Sequence, residues 1–364
     1  MTLTLPKWYD LHAHLRQGPA LVAYVAAHLK MGCAGVLAMP NTKPPVTRIS
    51  GPKTGEVWTI ESYLTDLKAA GGNAFEDIIV PLYLTRDTTP QMIEAGAASG
   101  LLRSCKYYPP HGTTNADYGA PMGEFIGGDA FRTMEECGVV LNIHGEEHGL
   151  VGADYFDRNR NAESVFYLET MPRLLESHPK LRIACEHLTT KEAAEFVEAA
   201  PDHVVGTITP QHLLYTIGDL IQSLKFHLFC YPTVRFEEDR DALRSKILNP
   251  VQRKYFAGTD SAPHPTKTQE NSCAGGCFTA GYAPQLYAMA FEEAGIDLAE
   301  ESGLRAFTAF LCENGPRFYD LPAPSGHFAL TKSPESVFPL ETLDGPVTPL
   351  PLGLDLALSW RLTC

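Results

Sequence analysis

The sequence predicts an α/β fold, a (β/α)8 TIM barrel with a packed C-terminal extension. Three observations carry this expectation. Eight short apolar runs alternate with amphipathic helical stretches. The length, 364 residues, suits one barrel domain over 1–364 with residues 321–364 as its extension. Residues able to bind metal or move protons gather at the C-terminal ends of the apolar runs, the end at which barrel active sites are built. A doubly wound open sheet is the alternative arrangement of the same alternation.

The predicted strands, in order, are residues 9–14 (Y-D-L-H-A-H), 35–39 (G-V-L-A-M), 78–84 (I-I-V-P-L-Y-L), 101–107 (L-L-R-S-C-K-Y), 139–144 (V-V-L-N-I-H), 181–187 (L-R-I-A-C-E-H), 204–209 (V-V-G-T-I-T) and 255–260 (Y-F-A-G-T-D). Each is short and rich in β-branched, aliphatic or aromatic residues. Between them lie amphipathic stretches predicted as helices, among them 56–70, 90–98, 162–177 and 191–200. No internal repeat and no low-complexity tract interrupts the pattern. The tail from Leu321 is rich in proline and leucine and reads as packed structure rather than a separate domain.

Composition narrows the class of function. The apolar fraction is 44% and the net charge is −14, spread along the chain. That balance argues against nucleic acid or an anionic membrane as partner. It leaves room for an anionic small molecule held by a local cation, and Arg16 is the first candidate. The N-terminus lacks the basic and apolar regions of a signal peptide, and no apolar run reaches membrane-spanning length. Nine cysteines, an odd number without framework spacing, fit a reduced, cytoplasmic setting. Cys273 and Cys277 form the one close pair, read as thiols in a loop rather than metal ligands.

The chemistry lies at the strand ends. His12 and His14 share one face if residues 9–14 are extended, which gives half a metal site. Lys106 ends the fourth run, His144 the fifth, His187 the sixth and Asp260 the eighth. A single histidine at a strand end is commonly a satisfied core residue; five strands supplying such groups together are not explained that way. Four histidines, an aspartate and a lysine match the ligand set of a two-metal hydrolytic centre. A protonated lysine has no lone pair for a metal. Buried beside two dications it becomes a neutral amine, able to add carbon dioxide and form a carbamate that bridges both ions.

These residues resemble the amidohydrolase superfamily and, more closely, the short free-standing dihydroorotases of the type II group. The matching stretches are D-L-H-A-H-L-R at 10–16, M-P-N-T at 39–42, K-Y-Y-P-P-H-G-T-T-N at 106–115, H-G-E at 144–146, E-H-L-T-T-K at 186–191, T-P-Q-H at 209–212 and G-T-D-S-A-P-H at 258–264. They keep the family's order from residue 10 to about residue 340, nearly the whole chain.

The resemblance implies a dihydroorotase: reversible cyclisation of N-carbamoyl-L-aspartate to L-dihydroorotate plus water in pyrimidine biosynthesis, at a binuclear metal centre with a bridging hydroxide. It implies that His12 and His14 hold the buried metal, that Lys106 bridges as N6-carboxylysine, and that His144 and His187 hold the more exposed metal. Asp260 would complete the first site and shuttle the proton. Arg16 and Asn41 would bind the substrate carboxylate with His264, and His14 would also face the substrate. The Tyr231 backbone would pair with the ring amide, and Thr113 and Thr114 would lie in a mobile loop. The run 273–277 aligns ambiguously with the family's Cys/Gly-rich loop, so either Ala274 or Gly275 supplies the expected backbone contact. Two zinc ions, a small-molecule substrate and a homodimer complete the family expectation. Cyclisation consumes one negative charge and one proton, so low pH favours it. Two other readings stay open on sequence. A dihydropyrimidinase, hydantoinase or allantoinase shares the ligands but not the need for a cation at Arg16. A silent scaffold homologue would be marked by a missing ligand, and every one is present.

Overall fold

The computed structural model describes residues 1–363. Eight parallel strands close into the predicted barrel. They are β1 (Trp8–Ala13), β2 (Cys33–Ala38), β3 (Asp77–Ile79, resumed at Leu82–Tyr83), β4 (Ser104–Tyr107), β5 (Val140–His144), β6 (Ile183–Glu186), β7 (Val204–Ile208) and β8 (Tyr255–Ala257). Each pairs in parallel with the next: Val36 opposite Ile78, Cys105 opposite Leu141, Cys185 opposite Ile143 and Phe256 opposite Thr207. Closure comes from β8 returning to β1. Asp260 N donates to His12 O at 2.9 Å and His14 N to Ser261 O at 3.0 Å. Asp10 locks the seam, accepting from Thr259 N at 3.0 Å and Thr259 Oγ1 at 2.6 Å. A closed ring leaves no edge and excludes the open-sheet alternative.

Local chemistry sets the boundaries. The helix predicted over 56–70 begins at Ile60, because Thr59 caps it: Thr59 Oγ1 accepts from Ser62 N at 3.0 Å and Ser62 Oγ accepts from Thr59 N at 3.1 Å. Threonines also cap the helices Pro90–Ala98, Lys191–Ala199 and Pro210–Leu214. The third predicted strand is broken at Pro81, which has no N–H for the ladder. The helix predicted over 162–177 is continuous but widens to π-helical turns at Phe166–Thr170, beside Pro172, which cannot donate back to Leu168.

Residues of the tail return to the start of the chain. His327–Glu335 pairs antiparallel with Thr2–Pro6 on one side and with Leu358–Thr363 on the other. Leu3, Leu5, Phe328, Leu330 and Trp360 are buried there, and burying each such side chain is worth about 1.5–3 kcal/mol. This sheet leaves the C-terminal mouth of the barrel free. No helix among the described residues is long and apolar enough to cross a membrane.

Candidate metal and substrate site

The C-terminal mouth of the barrel gathers the predicted ligands. His12 Nε2 and His14 Nε2 lie 3.3 and 3.0 Å from the same oxygen of Asp260, Oδ1. Asp260 takes a left-handed backbone, φ +49, which turns its carboxylate across the seam toward β1. Burial opposes its ionisation, but the hydrogen bonds and charges of His12 and His14 hold the carboxyl well below its usual range. The two histidines differ. Burial disfavours charge on both, yet Glu186 and Asp260 raise His12 to about 9. Burial prevails at His14 and lowers it to about 4.

The second half of the cluster comes from β4, β5 and β6. Lys106 and Glu186 are fully buried, and Lys106 Nζ is ion-paired with Glu186. Burial lowers the lysine's proton affinity and Glu186 opposes the shift. Glu186 also accepts from Asn142 Nδ2 at 2.7 Å and lies 3.2 Å from His12 Nδ1. Strand alternation places Ala184 and Glu186 on one face, which sends His187 to the other. A left-handed φ of +42 at His187 reverses that and brings its ring 5.0 Å from His12. Positive φ is uncommon outside glycine and persists where the surroundings enforce it. The His144 ring lies 4.6 Å from His187, with its Nε2 turned to Glu146.

Of the predicted substrate-side residues, Thr113, Thr114, Tyr231, His264, Ala274 and Gly275 line a cleft of about 450 Å³, and Arg16 and Asn41 join it through their hydrogen bonds to His264 and Thr114. Arg16, itself at φ +60, places Nη2 3.3 Å from His264 Nε2. Burial and the Arg16 charge lower His264 to about 3, so it is a neutral ring. Asn41 does not stand free: its Nδ2 donates to Thr114 O at 2.9 Å and its carbonyl accepts from Asn115 Nδ2 at 2.9 Å. Thr114 Oγ1 reaches Gly275 O at 3.4 Å. The threonine loop therefore spans the cleft between Asn41 and Gly275. Gly275 packs so closely on Tyr231 that a Cβ would meet the ring at 2.4 Å. The N–H and carbonyl of Ala274 are both taken by Lys267, at 2.8 and 2.7 Å.

The donor set fits a divalent metal. His12, His14 and Asp260 offer ligand atoms all within 4.8 Å of one another, and so do His12, Glu186 and His187. His187 Nδ1 is buried without a hydrogen-bond partner. Imidazole nitrogen and carboxylate oxygen are ligands suited to zinc and its neighbours. Sequence reasoning missed Glu186, Glu146 and Arg235. Glu186 was within reach, since an acid inside an apolar run, in register with Ala184, is placed in a barrel interior. Arg235 carries no local signal, because its role depends on partners 46 to 89 residues away.

No protein-family model matches the chain. Curated relatives do. The chain is 39% identical over 363 residues to a dihydroorotase of Halorhodospira halophila, with 99% of each chain covered. It is 39% identical over 368 residues to a dihydroorotase of Laribacter hongkongensis, again with 99% of each covered. Among solved structures, dihydroorotase from Saccharomyces cerevisiae in complex with 5-fluoroorotic acid superposes with a TM-score of 0.85 at 25% identity, covering 100% of this chain and 98% of that one.

Proposed function

The chain belongs to the dihydroorotase family and has dihydroorotase function, and from that premise we propose that the mouth of its barrel interconverts N-carbamoyl-L-aspartate and L-dihydroorotate plus water in pyrimidine biosynthesis. In this reading His12, His14 and Asp260 would hold one divalent ion, His144 and His187 would hold a second, and Lys106, as a carbamate, would supply a further oxygen ligand. Zinc is the metal we propose. Two such ions, when bound, polarise the amide carbonyl and acidify the attacking water.

The chain's own groups do the rest. Asp260, kept ionised by His12 and His14, accepts a proton from the attacking water and delivers it to the leaving ring nitrogen. The C–O bond forms, the ring C–N bond breaks, and the new acid ionises. Arg16 and the neutral His264 hold the carboxylate that does not react, Arg16 as a planar cation that never loses its charge. Asn41 both contacts substrate and ties down the Thr113–Thr114 loop. Tyr231 and Gly275 supply backbone to the ring amide; both carbonyls are engaged, Gly275 O with His264 Nε2 at 3.0 Å and Ala274 O with Lys267 Nζ at 2.7 Å, and Gly275 is assigned over Ala274 because the Ala274 N–H already donates to Lys267 O at 2.8 Å. Carboxylation of Lys106 reverses its charge. Glu186 then loses that partner and keeps Asn142 and His12. We further propose a cytoplasmic homodimer; light scattering of the purified chain measures the second of these.

The observation that carries this reading is a half-buried cation, Arg16, paired with His264 on the mouth that holds a histidine–aspartate ligand cluster. Arg16→Met tests it. Loss of one partner of a desolvated ion pair costs on the order of 2–5 kcal/mol, so kcat/KM for dihydroorotate falls steeply while metal content stays at the wild-type level. Wild-type efficiency in this variant places the substrate carboxylate elsewhere and favours a hydantoinase-like substrate.

A further inference from the structure

The H-G-E stretch at 144–146 contributes more than its histidine. His144 Nε2 lies 2.7 Å from Glu146 Oε2, and the other oxygen of Glu146 accepts from Arg235 Nη2 at 3.1 Å. Gly145 makes this turn-back tight. A Cβ there would meet Tyr167 Oη at 2.6 Å, so only glycine lets the backbone pass and brings Glu146 alongside its near neighbour.

Arg235 is fully committed. Its Nε donates to Thr189 Oγ1 at 3.3 Å and its Nη1 to Tyr155 O at 3.1 Å. Its guanidinium lies over Tyr155 and Phe156, 5.0 and 5.5 Å from the ring centroids. Glu146 and Arg235 are only 3% and 4% exposed. Taking two charges out of water is costly and, as a route to stability, often no better than an apolar pair. The arrangement is therefore better explained by what it does to His144.

We propose that Glu146 and Arg235 are positioning residues which fix the proton of His144 on Nε2, leaving the Nδ1 lone pair for the metal shared with His187. The proposal deepens the metal-centre reading above and rests on it for the role of Nδ1. An ionised carboxylate only accepts hydrogen bonds, so the nitrogen facing Glu146 is the one that carries the proton. In a neutral imidazole the other nitrogen then has the free lone pair. A carboxylate behind a metal-binding histidine also fixes the orientation of the ring. Arg235 prevents Glu146 from turning away, through a partner that comes from beyond β7 and is itself clamped by the 155–156 loop.

Two measurements test this. In the metal-free full-length protein, two-bond 1H–15N spectra of the histidine rings report which nitrogen of His144 is protonated. The proposal requires the Nε2–H tautomer in wild type and in Glu146→Gln, whose side-chain oxygen still accepts, and its loss in Glu146→Ala. A wild-type spectrum showing Nδ1–H at His144 overturns the proposal without any variant. Zn²⁺ titration against a chromophoric chelator gives the second readout. In Glu146→Ala and Arg235→Met one of the two zinc sites loses about 10–100-fold in affinity, the other stays within about threefold, and Glu146→Gln recovers part of the loss. Equal weakening of both sites, or unchanged binding in Glu146→Ala, overturns the positioning role. Neither measurement uses turnover, so wild-type protein that passes both and fails to open dihydroorotate refutes the substrate assignment alone.

Discussion

Three residues of the site, Arg16, His187 and Asp260, take left-handed backbone conformations that L-residues rarely adopt. At His187 the turn brings to the cluster a side chain that strand alternation would aim elsewhere. Alternation along residues 9–14 made His12 and His14 legible as a pair, because they share a period of two. The same rule misplaces His187, and only the structure shows the backbone twist that corrects it. Asp260 bears the heaviest chemical load. Asp260→Asn keeps the size and one ligating oxygen but cannot accept a proton. General acid–base help is worth roughly 10²–10⁴-fold, so turnover falls by at least about that factor in a protein that stays folded and metal-loaded. Metal content, thermal midpoint and turnover measured on one sample decide this; turnover within about tenfold of wild type reduces Asp260 to a ligand.

At the scale of elements, the sequence marked all eight strands and helices between them but not their exact ends, because capping cuts the helices and proline the strands. Thr59 and Pro81 are local signals of that kind. The clamp of Thr113–Thr114 between Asn41 and Gly275 was not legible, since it joins three loops distant in sequence. Gly275→Ala tests this packing. A methyl placed 2.4 Å from the Tyr231 ring displaces the loop, and a misplacement of that kind lowers kcat/KM on the order of 10–100-fold. Stability changes little, because Tyr231 and the loop against it lie at the surface. An unchanged KM for dihydroorotate shows that this contact is dispensable.

The start of the helix at 162 carries a second device. Glu163 is fully buried, accepts from Thr189 N at 3.0 Å, and is raised from 4.5 to about 7, chiefly by burial and against the pull of Arg235. Its folded pKa exceeds its unfolded one, so the folded state holds the proton more tightly. The resulting stabilisation is complete below the unfolded value of 4.5 and is lost as pH rises through about 7. A gap of that width corresponds to on the order of 3 kcal/mol. Glu163→Gln mimics the protonated acid. Denaturant midpoints of variant and wild type coincide near about pH 4, below the unfolded value, and the variant is the more stable near about pH 8. A wild type that is the more stable at the higher pH shows instead that the ionised Glu163 is needed beside Arg235.

The whole molecule unites two designs. A barrel supplies strand ends converging on one mouth, and a sheet built from both ends of the chain, Thr2–Pro6 with His327–Glu335 and Leu358–Thr363, leaves that mouth clear. The fold class, and the gathering of His12, His14, Lys106, His144, His187 and Asp260 at one mouth, were legible because a barrel repeats one local pattern eight times. Glu186, Glu146 and Arg235 were not assigned because their roles follow from contacts across strands. The ligand set exceeds what one tetrahedral ion needs, so elemental analysis is expected to find about two divalent ions per chain, with activity lost on chelation. A fully active metal-free preparation refutes the metal centre. The central claim is that a site of this geometry opens a cyclic amide bearing a carboxylate, and it is tested most directly by the turnover of L-dihydroorotate against dihydrouracil by one metal-analysed sample. Removing the substrate carboxylate leaves Arg16 unpaired, at a cost on the order of 2–5 kcal/mol, so dihydroorotate is preferred by at least about 30-fold in kcat/KM. Equal or faster turnover of dihydrouracil contradicts the account.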